Sequence, residues 1–107
     1  AAVTRAPAAP PVPISAPRFD AAYLHNPAPE YPLQARRLRE RGTVLLRVEV
    51  SAQGGALQVL IERGSGWQLL DAAALRAVKR WRFEPARRGR EPVAAWVLVP
   101  IEFDLRH

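Results

Sequence analysis

From Thr43 to Ser51 apolar and polar residues alternate along the chain. Val44, Leu46, Val48 and Val50 share one face of an extended segment; Thr43, Arg47, Glu49 and Ser51 share the other. A period of two predicts a half-buried strand. Ala52-Gln53-Gly54-Gly55 follows, and paired glycines accept the positive φ that a hairpin connection demands. Leu57, Val59 and Ile61 then alternate with Gln58, Leu60 and Glu62, which predicts a returning strand broken by Gly64-Ser65-Gly66. Beyond it the period changes. Leu70, Ala74, Ala77, Val78 and Trp81 fall on one face of a helix. Asp71 suits the start of that helix as a cap or as a charge near the positive dipole end. Arg76, Lys79 and Arg80 lie off the apolar face, and Pro85 prevents continuation. The longest strand signal comes last: Val93, Ala95, Val97, Val99, Ile101, Phe103 and Leu105 are all apolar. Ala94, Trp96, Leu98, Pro100, Glu102 and Asp104 lie opposite them.

Ahead of these elements, PLQARRLRER predicts a helix over Pro32–Arg41. Pro32 stands in the first turn, where its missing N–H costs nothing. Leu33, Ala35 and Leu38 form a modest apolar stripe, and Gly42 is placed to end the helix. Most of the 11 prolines precede Leu33. Ala1–Asp20 is therefore expected to make neither helix nor sheet ladder and to run extended. The sequence divides into a mobile Pro/Ala-rich linker over residues 1–22 and a domain over 23–107. The domain is α+β with element order α-β-β-α-β. An economical arrangement is a three-stranded antiparallel sheet in the order 2-1-3, with both helices on one face and a right-handed crossover over one strand.

Composition narrows the chemistry. A chain of 107 residues holds one domain. With no cysteine it has neither disulfides nor thiolate ligands. No segment approaches the ~18 apolar residues of a membrane span, and Ala1-Ala2-Val3-Thr4-Arg5 has no signal-peptide core. A membrane-anchored parent would carry its anchor upstream. His25 and His107 have no carboxylate neighbours at metal-ligand spacing, so no metal or cofactor is expected. Ser65 lacks the nucleophile-elbow pattern. Gly54-Gly55 lacks the lysine of a phosphate loop. No catalytic residue emerges. The net charge is +6, carried by arginine except at Lys79. That charge suits nucleic acid, anionic lipid, an acidic partner or a wall polymer. Arg76–Arg90, with Trp81 and Phe83 interleaved, imitates a single-strand-binding platform. Trp81, however, falls on the apolar helix stripe, which favours core packing.

A set of short pieces then recurs in a recognisable order. Tyr31-Pro32 is followed by Ala35, Gly42-Thr43-Val44 and the Gly54-Gly55 turn. Ser65-Gly66 precedes Leu70-Asp71 and Ala73-Ala74-Leu75. Trp81-Arg82-Phe83-Glu84-Pro85-Ala86, Val93 and Pro100-Ile101-Glu102-Phe103 complete the set. None is specific alone. In this order and spacing, over Pro29–Phe103, the chain resembles the TonB C-terminal domain family. It departs at Gly64, where the family often has a serine. The resemblance implies a non-enzymatic domain in the periplasm, tethered to the inner membrane by an N-terminal helix that this sequence lacks. It implies work with the ExbB–ExbD motor and, as partner, the TonB box and plug of outer-membrane TonB-dependent receptors. The proton motive force would thereby drive uptake of siderophores, haem or similar nutrients. Neither nucleic acid nor a small-molecule substrate is expected. Two other readings stay open: a basic nucleic-acid-binding module, and a TolA-like or wall-associated periplasmic interaction domain.

The last strand suggests where a partner peptide docks. Pro100 has no N–H, so its backbone should face away from the internal ladder. Even-numbered residues then face an open edge, with Ala94, Trp96 and Leu98 offering donors and acceptors for strand addition. A second contact is expected in the stiff lead-in at His25, Asn26, Ala28 and Glu30, extending to Tyr31 and Pro32.

Overall fold

The computed structural model describes residues 13–21 and 24–105. Residues 1–12, most of the expected linker, lie outside the described residues, as does His107. The elements are β1 (Ile14–Ser15), α1 (Leu33–Arg37), β2 (Gly42–Val50), β3 (Ala56–Arg63), α2 (Gln68–Val78), β4 (Ala86–Arg88), β5 (Glu91–Val93) and β6 (Ala95–Phe103). The main sheet has the order β3-β2-β6, all antiparallel. This is the expected 2-1-3 arrangement, and the architecture is α+β.

The core follows the alternation. Val44, Leu46, Val48 and Val50 on β2 and Val99, Ile101 and Phe103 on β6 are buried against Leu70, Ala73, Ala74 and Val78 of α2. Ala35 of α1 joins the same core. Each fully buried aliphatic side chain contributes roughly 1.5–3 kcal/mol relative to exposure, so this face supplies most of the driving force.

β3 is less regular than its pattern. Leu45 pairs with Arg63 and Leu46 with Ile61; Glu49 pairs with Gln58 and Val50 with Ala56. Glu62 and Leu57 are therefore extra residues in two bulges. Leu57 is thrown out of the core face and exposed, and Ile61 is also exposed.

The helices are shorter than expected. α1 ends at Arg37, well before Gly42. Arg39 takes φ 57, its N–H bonds the Arg36 carbonyl at 3.1 Å, and the Glu40 N–H bonds that of Ala35 at 2.9 Å. This is a Schellman ending with arginine in the left-handed position, so Gly42 is free to open β2. So short a helix buries Ala35 only; Leu33 and Leu38 are exposed. α2 stops at Val78, leaving Trp81 outside it, and Asp71 does not cap it. Asp71 Oδ1 instead accepts from Ser65 N–H (2.9 Å) and Ser65 Oγ (2.8 Å), pinning the loop before the helix.

Two segments read as irregular form a second small sheet, β1-β4-β5. Arg87–Glu91 is the tip of a hairpin, with Gly89 at φ 63 in its two-residue turn. The proline-free run Ile14-Ser15-Ala16 keeps its N–H groups, so Ile14 and Ser15 can pair with Arg88 and Arg87. Proline blocks a ladder only where it stands.

The β2–β3 turn also closes onto the C-terminal half. Gly54 has φ 88, and the Phe83 N–H donates to its carbonyl at 2.9 Å. A Cβ at this position would sit 2.4 Å from the Phe83 carbonyl oxygen. Gly54→Ala is expected to cost at least about 1–3 kcal/mol through the forced backbone conformation, with the clash adding to that, measured by denaturant unfolding against Gly55→Ala.

Candidate functional site

A sheet ordered β3-β2-β6 leaves one side of β3 and one side of β6 without a strand partner. Two bulges interrupt β3, and bulges are a device by which an edge is blunted against added strands. β6 carries none. Its pairing with β2 runs unbroken from Gly42↔Phe103 to Val50↔Ala95. The outer side of β6 is the long, regular edge of the molecule.

The hairpin sets which residues face that edge. Ser51 N–H donates to the Gly55 carbonyl at 2.8 Å, across the β2–β3 turn. Backbone groups alternate sides along a strand. Odd-numbered residues of β2 therefore point to β3, and Val44, Leu46, Val48 and Val50 point to β6. Their partners there are Ile101, Val99, Val97 and Ala95. By the same alternation Trp96, Leu98, Pro100 and Glu102 turn their backbone groups outward.

Trp96 and Leu98 also lie on the sheet face opposite the core, 43% and 50% exposed. Across the strands the same face runs Leu60, Arg47, Leu98, so the arginine stem lies between two exposed leucines. The Arg47 guanidinium reaches over the Trp96 ring, 5.4 Å from its centroid, and pairs with Glu62 at 3.4 Å. A cation over an aromatic face contributes roughly 0.5–1 kcal/mol when exposed. Arg47 thus steadies Trp96 beside the edge. The sequence reading missed Arg47 and Leu60; the available signal was their position on the polar face of two paired strands. Ala94 lies between β5 and β6 and belongs to neither. The last strand begins at Ala95 rather than Val93, so of the three expected edge residues only Trp96 and Leu98 lie within β6.

The lead-in residues are placed unequally. Asn26 is occupied by the fold: its Nδ2 donates to the carbonyls of Phe19 (3.1 Å) and Arg82 (2.6 Å), and its Oδ1 accepts from Arg82 N–H (2.7 Å). Tyr31 is an anchor. Its ring meets Phe103 edge-on at 5.4 Å, its hydroxyl bonds the Glu40 carbonyl, and Arg36 lies over it at 5.3 Å. Pro32 is the N-cap of α1. His25, Ala28 and Glu30 are exposed. Tyr31 packs at Phe103, the end of β6 away from Trp96 and Leu98, whereas Asn26 is held at Arg82, next to the Phe83 that bonds the β2–β3 turn near the Ala95 end.

The basic run Arg76–Arg90 does not form a stacking platform. Trp81 and Phe83 are 8% and 3% exposed, so their rings belong to the core and it is the charged side chains of the run that reach solvent. Among the described residues no group of three His, Cys, Asp or Glu side chains is placed to hold a metal.

Residues 27–105 match the family described as Gram-negative bacterial TonB protein C-terminal. The chain belongs to the TonB C-terminal domain family. It is 53% identical over 89 residues to the protein tonB2 of Pseudomonas aeruginosa, covering 83% of this chain and 33% of that protein. It is 38% identical over 77 residues to the TonB protein of Vibrio cholerae, covering 72% of this chain and 32% of that one. The chain therefore spans about a third of the length of these curated relatives. The solution structure of the Pseudomonas aeruginosa TonB C-terminal domain superposes with a TM-score of 0.66 over 78% of this chain and 85% of that one. At 23% identity, it speaks to the fold.

Proposed function

We propose that this chain is the partner-gripping domain of a TonB-type energy transducer in the periplasm. An extended receptor segment, the TonB box, adds as a fourth strand along β6. Membership of the TonB C-terminal family carries this reading, and the unbulged outer edge of β6 supports it. Trp96 and Leu98 supply main-chain donors and acceptors, and their side chains flank the added strand. Pro100 offers a carbonyl but no N–H, which limits how far the ladder runs. His25, Ala28 and Glu30 are the accessible candidates for a second contact. In the whole protein an N-terminal helix holds the domain to the inner membrane. The ExbB–ExbD motor acts through that region, and the proton motive force powers uptake of siderophores, haem or similar nutrients. The work is mechanical: the domain needs no catalytic residue, cofactor or nucleic acid.

The test is a calorimetric titration with a receptor TonB-box peptide, set against the same titration with DNA at two salt concentrations. Peptide binding with a weak dependence on salt is expected. DNA binding that falls steeply with salt, without peptide binding, would overturn the reading. For the lead-in, single cysteines at Ala28 and Glu30 are expected to crosslink to a cysteine placed beside the receptor's TonB box. The absence of cysteine from the native chain makes each probe unique. Crosslinks at Trp96 but at neither lead-in position would remove the second contact.

A further inference from the structure

The chain ahead of Ala28 is fastened to the fold along segment 81–89, and strand addition at β6 does not use these fastenings. They come in order along the chain. The Pro13 carbonyl accepts from Gly89 N–H at 3.3 Å. Ile14 and Ser15 pair with Arg88 and Arg87, and Ser15 Oγ accepts from Arg87 N–H at 3.1 Å. Arg18 and Glu84 exchange both backbone bonds, at 3.0 and 2.8 Å, and their side chains pair at 3.9 Å. The Phe19 ring stacks on Trp81, centroids 6.1 Å apart. His25, at φ 52, turns the chain into the Asn26 amide bonds with Arg82. Finally the Pro27 carbonyl accepts from Trp81 Nε1 at 2.8 Å.

We propose that this segment is a releasable strap, a length reserve that takes up load before the core does. The proposal rests on the transducer reading, in which pull enters from the N-terminal side. Among the described residues, load then meets the Pro13–Gly89 bond first and reaches each later fastening in turn. Bonds loaded one after another open at low force, whereas a peptide laddered along β6 loads several bonds together. The early fastenings are also exposed to competing water, and each adds little net free energy. Asn26 differs. One amide closes two bonds on the Arg82 backbone and a third on Phe19, next to the buried Trp81. It is where the peeling stops. When the pull relaxes, the strap lies back on β4.

The experiment is an optical-tweezers force ramp on the full chain, with one handle at its N-terminus and one on a unique cysteine in Leu98→Cys. An early, reversible extension before global rupture is expected. Release from Pro13 to Asn26 frees 26 − 13 = 13 residues, about 45 Å of contour length at 3.3–3.6 Å per residue, and the extension gained is that length less the distance the strap already spans in the fold. In Asn26→Ala only the single Pro27–Trp81 bond stands before Tyr31, so the stop moves to Tyr31 and the released contour length should grow to about 60 Å at lower force. At zero load, amide exchange at Glu84 and Arg87 should quicken in Asn26→Ala while β2 amides are unchanged. A single rupture with no early gain overturns the strap. An early gain of the same length and force in both proteins overturns the Asn26 stop. Neither measurement involves a receptor peptide, so failure of the strap and failure of the transducer reading are read separately.

Discussion

Replacing Trp81 with alanine is expected to cost the domain about 3–5 kcal/mol, the range for large-to-small changes at buried aromatics. Three losses combine there. The ring is 8% exposed and packs in the common core. It stacks on Phe19, and its Nε1 holds the Pro27 carbonyl. The core, the strap and the lead-in therefore meet at one side chain. Domains of this size are stable by about 5–15 kcal/mol, so the loss consumes a large share of the total. Thermal unfolding followed by near-ultraviolet circular dichroism checks it. Trp81→Phe should recover the packing but not the Pro27 bond, and should fall between the two. A melt of Trp81→Ala close to that of the parent would show that the indole is not a core anchor.

Leu98→Pro is expected to weaken TonB-box peptide binding by roughly tenfold, the higher end for one lost hydrogen bond. The melting temperature should stay near that of the parent. The backbone of Leu98 faces the open edge, so proline there removes a donor that β2 does not use. The neighbouring substitution is the control. Val97 pairs with Val48 and points its backbone inward, so Val97→Pro should break the ladder and unfold the sheet. Paired titrations and melts of the two variants read the phase of the strand directly. Unfolding by Leu98→Pro together with tolerance of Val97→Pro would reverse the edge assignment. Equal peptide affinity in Leu98→Pro and parent would move the binding site away from β6.

Much of this was legible before any coordinates. Strict alternation placed Val44, Leu46, Val48 and Val50 on one face because a strand has a period of two and no freedom to depart from it without a bulge. The same logic gave Val99, Ile101 and Phe103, and the missing N–H of Pro100 pointed to an outward backbone. The glycine pair marked a turn, and Gly54 does take a positive φ. These are local constraints, written residue by residue.

Other features depend on contacts that the local pattern does not show. Nothing near Leu57 announces a bulge; it shows only in the register of β3 against β2, next to a turn that also bonds Phe83 through Gly54. Asp71 carries the signature of a helix cap, yet it turns to Ser65 because the folded loop brings two donors within reach. Arg39 ends α1 in a conformation that propensity assigns to glycine, and the run to Gly42 is then used to start a strand. Asn26 reads as a free polar residue between prolines, but its partner, Arg82, is 56 positions away. The sequence by itself determined the order of the main strands and helices, the core face and the family, since periodicity and side-chain volume act locally. Only the tertiary structure decided which edge stays regular, which polar side chains are already engaged, and where the proline-rich lead-in is fastened. Each of those outcomes is set by a hydrogen bond or a pairing whose two halves meet only when the chain has folded.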